Sequence, residues 1–104
     1  MPPVRKMAHL YVLSYQGIEE GAYKIGRSKD IKKRVKSMES SHIFHINVDV
    51  VFTGKGYLEQ IVHERLAPFR VEGFRSREWF RAPLSTILAI IATVIEKHPE
   101  ELVW

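Results

Sequence analysis

The chain contains no cysteine. A disulfide framework and a thiolate zinc site are excluded with it, and the absence fits a reducing interior. It contains no long hydrophobic run either. The most apolar stretch, residues 84–95, is too short to span a bilayer and is interrupted by Ser85, Thr86 and Thr93. No apolar segment of signal-peptide length follows the start at Met1-Pro2-Pro3-Val4-Arg5-Lys6. The expectation is a soluble, intracellular protein with no membrane partner. No Pro/Gly/Ser-rich linker divides the middle and no internal repeat is visible. Residues 1–104 therefore read as one domain with room for one hydrophobic core.

What the chain does have is positive charge in one place. The net charge of +4 is modest, but residues 24–36 hold Lys24, Arg27, Lys29, Lys32, Lys33, Arg34 and Lys36 against the single acid Asp30, a local excess of +6. The remaining residues, nine basic and eleven acidic, come to −2. Charge concentrated in this way is the electrostatic footprint of a polyanion partner. A solvated, lysine-rich helix face explains the run equally well when it stands alone.

Hydrophobic periodicity organises the rest. Residues 8–15 are apolar and aromatic-rich and read as a strand. A turn with two glycines follows over residues 16–21, then a second strand over Ala22-Tyr23-Lys24-Ile25, stopped by Gly26. A helix is expected next, with Ser28 as N-cap and Asp30 in its first turn. Ile31, Val35 and Met38 have the spacing of one buried stripe, with Lys32, Lys33 and Lys36 opposite. Arg34 falls roughly 60° from Ile31 around the helix, at the edge of the stripe, half-covered by the protein.

Residues 46–53 alternate as a third strand with one buried face, Ile46, Val48, Val50 and Phe52. Residues 57–69 fit a helix with Tyr57, Leu58, Ile61, Val62 and Leu66 inward, and Pro68 distorts or ends it. Residues 71–81 read as irregular, anchored by Trp79 and Phe80. A C-terminal packing helix over 83–98 begins with Pro83 in first position and buries Leu84, Ile87, Leu88, Ile91, Val94 and Ile95. The expected fold class is α+β: a small three-stranded, largely antiparallel sheet flanked by helices.

The order of motifs is specific. Leu10-Tyr11-Val12 lies on the first strand and Tyr23-Lys24-Ile25-Gly26 on the second. Arg34 follows that glycine by eight residues, Glu59-Gln60-Ile61-Val62-His63 lies on a later helix, and Glu78-Trp79-Phe80 comes after it. This arrangement resembles the GIY-YIG nuclease family, in particular the branch of phages, large DNA viruses and some fungal proteins whose second motif reads Tyr-Lys-Ile-Gly. The resemblance covers residues 9–80.

The resemblance implies a divalent-metal-dependent endonuclease acting on DNA, with RNA not excluded as a partner. It makes Tyr11 the general base that activates water. Arg34 steadies charge on the scissile phosphate, and Glu59 is the carboxylate that holds Mg²⁺ or Mn²⁺. Lys24 stands where the family has its second tyrosine and is the candidate for that tyrosine's role; Tyr23 falls on the other face of the sheet. Arg27, Lys29, Lys32, Lys33 and Lys36 are the candidate nucleic-acid contacts. His63 and Glu78 are candidates for supporting Glu59.

The chemistry is coherent in its own right. Phosphodiester hydrolysis needs an activated water, stabilised charge at phosphorus and relief of charge on the leaving oxygen. Arginine matches phosphate geometry and stays charged. A tyrosine of ordinary pKa needs a neighbouring cation to act as a base at neutral pH, and Lys24 is the expected one.

Each residue also has a plainer reading. Tyr11 fits a core aromatic, and Glu59 with His63 a surface i, i+4 pair. Glu78 fits a loop ion pair with Arg75 or Arg77. The first motif lacks the family's glycine and isoleucine, reading His9-Leu10-Tyr11. A nucleic-acid-binding module without cleavage and a protein-interaction domain are the alternative functions.

Overall fold

Strand β1 (His9–Tyr15) has buried apolar side chains on both faces: Leu10 and Val12 on one, Tyr11 and Leu13 on the other. A strand buried on both sides must lie inside a sheet covered on both sides, and that requirement sets the architecture. The computed structural model describes residues 7–15, 21–40, 45–72 and 77–99.

Among these, β1 pairs antiparallel with β2 (Ala22–Ser28) and with β3 (Ile46–Phe52), and β2 pairs antiparallel with β4 (Trp79–Arg81). The sheet is therefore four-stranded in the order β3-β1-β2-β4. Helix α1 (Ile31–Ser40) packs on the face of Tyr11 and Leu13. Helices α2 (Glu59–Arg65) and α3 (Leu84–Lys97) close the opposite face. No helix of the described residues is long and apolar enough to cross a membrane.

The α+β class holds, with one strand more than the periodicity indicated. β4 is three residues long, too short for alternation to register, and lies in the segment read as irregular. Its Trp79 and Phe80 are buried on opposite faces, as an extended pair must be.

Gly26 does not stop β2. It lies inside the strand, opposite Tyr11, and pairing continues to Ser28. The expected single buried face of β3 is broken by a bulge. Val12 pairs with Val50 and Leu13 with Val48, leaving Asp49 as the extra residue. Ile46 consequently packs on the α1 side, whereas Val50 and Phe52 join the core under α2 and α3.

Local chemistry explains the helix ends. Asp30, not Ser28, caps α1: its Oδ1 accepts the Lys33 N–H at 3.1 Å, while the Ser28 hydroxyl accepts the Asp30 N–H one step earlier. The helix expected over 57–69 is divided into a 3-10 turn Gly56–Leu58, α2, and a second 3-10 turn Ala67–Phe69 that includes Pro68. Leu58, Val62 and Leu66 are fully buried, but Tyr57 is exposed and its hydroxyl donates to the His98 carbonyl at 2.9 Å. Pro83 is the cap residue of α3 rather than its first helical position. The expected turn over 16–21 falls, except for Gly21, outside the described residues, as does Arg75.

Candidate nucleic-acid-cleaving site

The site forms where β4 runs out. β4 pairs only with residues Ala22 to Lys24, so the outer edge of β2 from Ile25 onward is uncovered. Its backbone groups are satisfied from elsewhere. The Ile25 N–H donates to the Glu78 carbonyl at 3.0 Å, and the Ile25 carbonyl accepts from His63 Nε2 at 2.7 Å. These two bonds bring the residue before β4 and a turn of α2 to the same point of the sheet edge. Groups from the α2 side thereby meet groups from the α1 side.

Above that point lies Gly26. A side chain there would have its Cβ 2.5 Å from Tyr11 Oη and 2.7 Å from Glu78 Oε1. Glycine is required because the tyrosine ring and the carboxylate occupy the space a Cβ would fill. The Tyr11 hydroxyl is buried and lies, with the Glu78 carboxylate, against Gly26. Among the described residues its oxygen has no hydrogen-bond partner in bonding geometry. Burial raises the Tyr11 pKa above the ordinary 10.0; the Arg34 guanidinium works against that rise, and Glu78 and Glu59 add to it. The expectation that Lys24 supplies the cation for Tyr11 is not met: the cation that acts on the phenol is Arg34.

Lys24 is 9% exposed, the one charged residue buried among the described residues. Burial lowers its pKa from the ordinary 10.5, Glu78 opposes the shift, and Arg34 reinforces it. Tyr23, its neighbour in sequence, packs against the α2/α3 core on the opposite face. Arg34 itself is exposed rather than half-covered, on a helix none of whose residues is fully buried.

On the α2 side, Glu59, His63 and Glu78 each offer a ligand atom, and these atoms lie within 4.8 Å of one another. The His63–Ile25 bond has a consequence for the ring. A carbonyl only accepts, so Nε2 is the donor, and Nδ1 is the nitrogen left to a ligand. The ring also packs against Phe80, with centroids 5.2 Å apart. Arg27 Nε lies 3.8 Å from Glu59 Oε1, a loose ion pair at the rim. Two carboxylates and an imidazole at this separation are a donor set that fits a divalent cation.

Tyr11 thus feels Arg34, Glu78 and Glu59, Lys24 feels Glu78 and Arg34, and Glu78 lies within ligating distance of Glu59 and His63. Lys29, Lys32, Lys33 and Lys36 are not part of the cluster; they are exposed along the start and the outer side of α1. The sequence patterns gave no signal for the role of Gly26, which only the pairing register reveals.

A family model described as the T5orf172 domain matches residues 8–95. The domain is associated with phage-related, GIY-YIG-like nuclease proteins. No curated protein and no solved structure matches the chain.

Proposed function

The chain belongs to the T5orf172 domain family, and we propose that it is a divalent-metal-dependent endonuclease hydrolysing DNA phosphodiester bonds, within the GIY-YIG branch that carries Tyr-Lys-Ile-Gly as its second motif. The observation that carries this reading is the meeting of Tyr11, Arg34 and Glu59 at one sheet edge, although they come from different elements on opposite faces. A module that only binds nucleic acid has no use for carboxylates beside its phosphate-binding arginine, since they repel the ligand.

Each residue has a task that its surroundings allow. Arg34, exposed and permanently charged, receives a phosphate from solvent and donates paired hydrogen bonds to its oxygens as charge builds there. Tyr11 holds its hydroxyl under Arg34 with a free lone pair, in place to orient a water and accept its proton. Lys24, buried between Glu78 and Arg34 in charge, keeps the pocket positive where the polyanion enters. Glu59, with His63 and Glu78 beside it, would hold the Mg²⁺ or Mn²⁺ ion, which when bound neutralises charge on the leaving oxygen. Arg27, Lys29, Lys32, Lys33 and Lys36 draw the strand onto α1 through its phosphates, independently of sequence.

One observation favours a second reading, a module that binds without cutting: burial raises the Tyr11 pKa above its ordinary value, against the base role. The two are separated by incubating the protein with labelled duplex, branched and single-stranded DNA and with RNA, with and without Mg²⁺ or Mn²⁺, beside an Arg34→Ala control. Metal-dependent cleavage that the control lacks supports the nuclease. Binding without cleavage under every metal gives the second reading.

A further inference from the structure

Resting on the proposed site but going beyond it, we infer that Glu59, His63 and Glu78 together form a three-ligand site for a transition-metal dication, Mn²⁺ in preference to Mg²⁺, which fills before nucleic acid arrives.

Two independent observations point to a ion-sized ligand. The first is the donor set: two carboxylate oxygens and an imidazole nitrogen, from α2 and from the residue preceding β4, within 4.8 Å of one another. The second is the hydroxyl of Tyr11, a residue 1% exposed, which has no hydrogen-bond partner in bonding geometry and shares with Glu78 Oε1 the space that a Cβ on Gly26 would fill. A buried hydroxyl left in that state costs about 1–3 kcal/mol, and a water or ion in the adjoining space would relieve it.

The histidine decides the kind of ion. His63 Nε2 donates to the Ile25 carbonyl at 2.7 Å, and the ring packs at a tilt against Phe80, so its orientation is set before any ligand binds. A histidine anchored through one nitrogen to a backbone carbonyl presents the other as a ligand, the arrangement that metal-binding histidines share. Imidazole nitrogen is a poor ligand for Mg²⁺, which demands oxygen and holds its water. It suits the first-row transition ions, which accept mixed nitrogen and oxygen sets. Three protein ligands also remove the need for a substrate phosphate to complete the first affinity, so the ion binds to the free protein. Arg27, 3.8 Å from Glu59, is the cation that must swing aside; its side chain is 60% exposed, so the movement costs little.

The test is direct binding, without nucleic acid. Mn²⁺ is titrated into the full chain and followed by calorimetry and by loss of the free-ion electron-paramagnetic-resonance signal; Mg²⁺ is titrated separately and in competition. The expected result is one Mn²⁺ per chain, with Mg²⁺ weaker by on the order of tenfold or more. Glu59→Gln, His63→Gln and Glu78→Gln each weaken Mn²⁺ by about 10–100-fold. Glu64→Gln, an exposed carboxylate on the same helix, leaves it unchanged. Glutamine at position 63 can still donate to Ile25; should that variant nevertheless unfold, Glu78→Gln decides alone. Mn²⁺ binding that survives Glu78→Gln, or equal affinity for Mg²⁺ and Mn²⁺, overturns the inference. Mn²⁺ bound as expected with no substrate cut leaves the metal site standing and removes the nuclease. Cleavage that needs Glu59 while His63→Gln and Glu78→Gln bind Mn²⁺ like the parent leaves the nuclease standing and removes the three-ligand site.

Discussion

The two faces of the sheet are built on different principles. Under α2 and α3, eleven buried residues, all apolar, form a continuous core running from Leu10 through Phe80 to Val94. Under α1, among the described residues, the buried cluster is Tyr11, Leu13 and Ile46, with the half-buried Tyr15, Ile31, Val35 and Met38 packed against it. One face can therefore supply most of the hydrophobic stabilisation, which scales with apolar area removed from water. The other keeps a lysine, a phenol and a glycine crossed by that phenol in a partly dry space. Groups that are costly to bury are tolerated there because the first face offsets them.

The comparison is sharpest where the two faces are truncated in parallel. Ile91→Ala, in the middle of α3 and fully buried, should cost about 2–5 kcal/mol by the loss of packing and the cavity left behind. Val35→Ala on α1 should cost about 1 kcal/mol, since its side chain is half-buried. Chemical denaturation of both variants measures the difference, and equal losses would mean that the α1 face bears as much of the fold as the other.

Next in size is a change that should touch function alone. Arg34→Ala removes an exposed side chain from α1, so its melting temperature should match the parent's. Its cleavage rate should fall by about 10²–10³, the usual loss when one preorganised charge-stabilising group is removed. A single-turnover assay beside a melting curve checks both halves. Loss of stability in step with rate would erase the division between the faces.

Gly26→Ala probes the boundary between them. The new Cβ cannot fit beside Tyr11 and Glu78 without moving one of them, and the ring is held in the buried cluster. Such overpacking should cost about 1–3 kcal/mol, and it should also slow cleavage by displacing the Tyr11 hydroxyl. A variant with parent-like melting and rate would show that the space over Gly26 is not shared as described.

The smallest effect concerns the fastening of α1. Glu39 Oε2 accepts the Ile46 N–H at 2.9 Å and pairs with His45 Nδ1 at 3.3 Å, tying the end of α1 to the start of β3. The Ile46 bond, foremost, holds the Glu39 carboxyl below its ordinary pKa of 4.5, and His45 adds to the effect. A depressed carboxyl contributes stability above its unfolded value and loses it as pH falls through the folded one. The parent should thus lose melting temperature between about pH 5 and pH 3 by a little more than Glu39→Gln does. Superimposable acid profiles for the two proteins would mean that the clasp carries no weight.

Legibility in the sequence followed the same division. The α2/α3 face was readable because its stripes repeat: Leu58, Val62 and Leu66 on one helix, Ile87, Ile91 and Val94 on the other. Its chemistry-bearing partner was readable in identity but not in arrangement. Tyr11, Lys24, Arg34 and Glu59 stood out by type and order, yet their meeting depends on β4 ending at the level of Lys24, which a three-residue strand does not announce. The bulge at Asp49 was hidden because a period of two looks the same on either side of an inserted residue. Strand adjacency points to Lys24 as the cation near Tyr11, whereas the effect of Arg34 on that phenol comes from a helix and is a tertiary property.

Glu59 is the residue on which the proposed metal-dependent cleavage rests. Glu59→Gln keeps the shape of the side chain and its place at the start of α2, and removes one negative charge from beside the bound phosphates. Cleavage of labelled DNA and affinity for the same DNA, measured on the folded variant in Mg²⁺ and in Mn²⁺, should separate. Cleavage should fall by about 10²–10³ or more, while affinity stays equal or tightens because a repulsion has gone. A folded Glu59→Gln that cuts as fast as the parent would contradict the account.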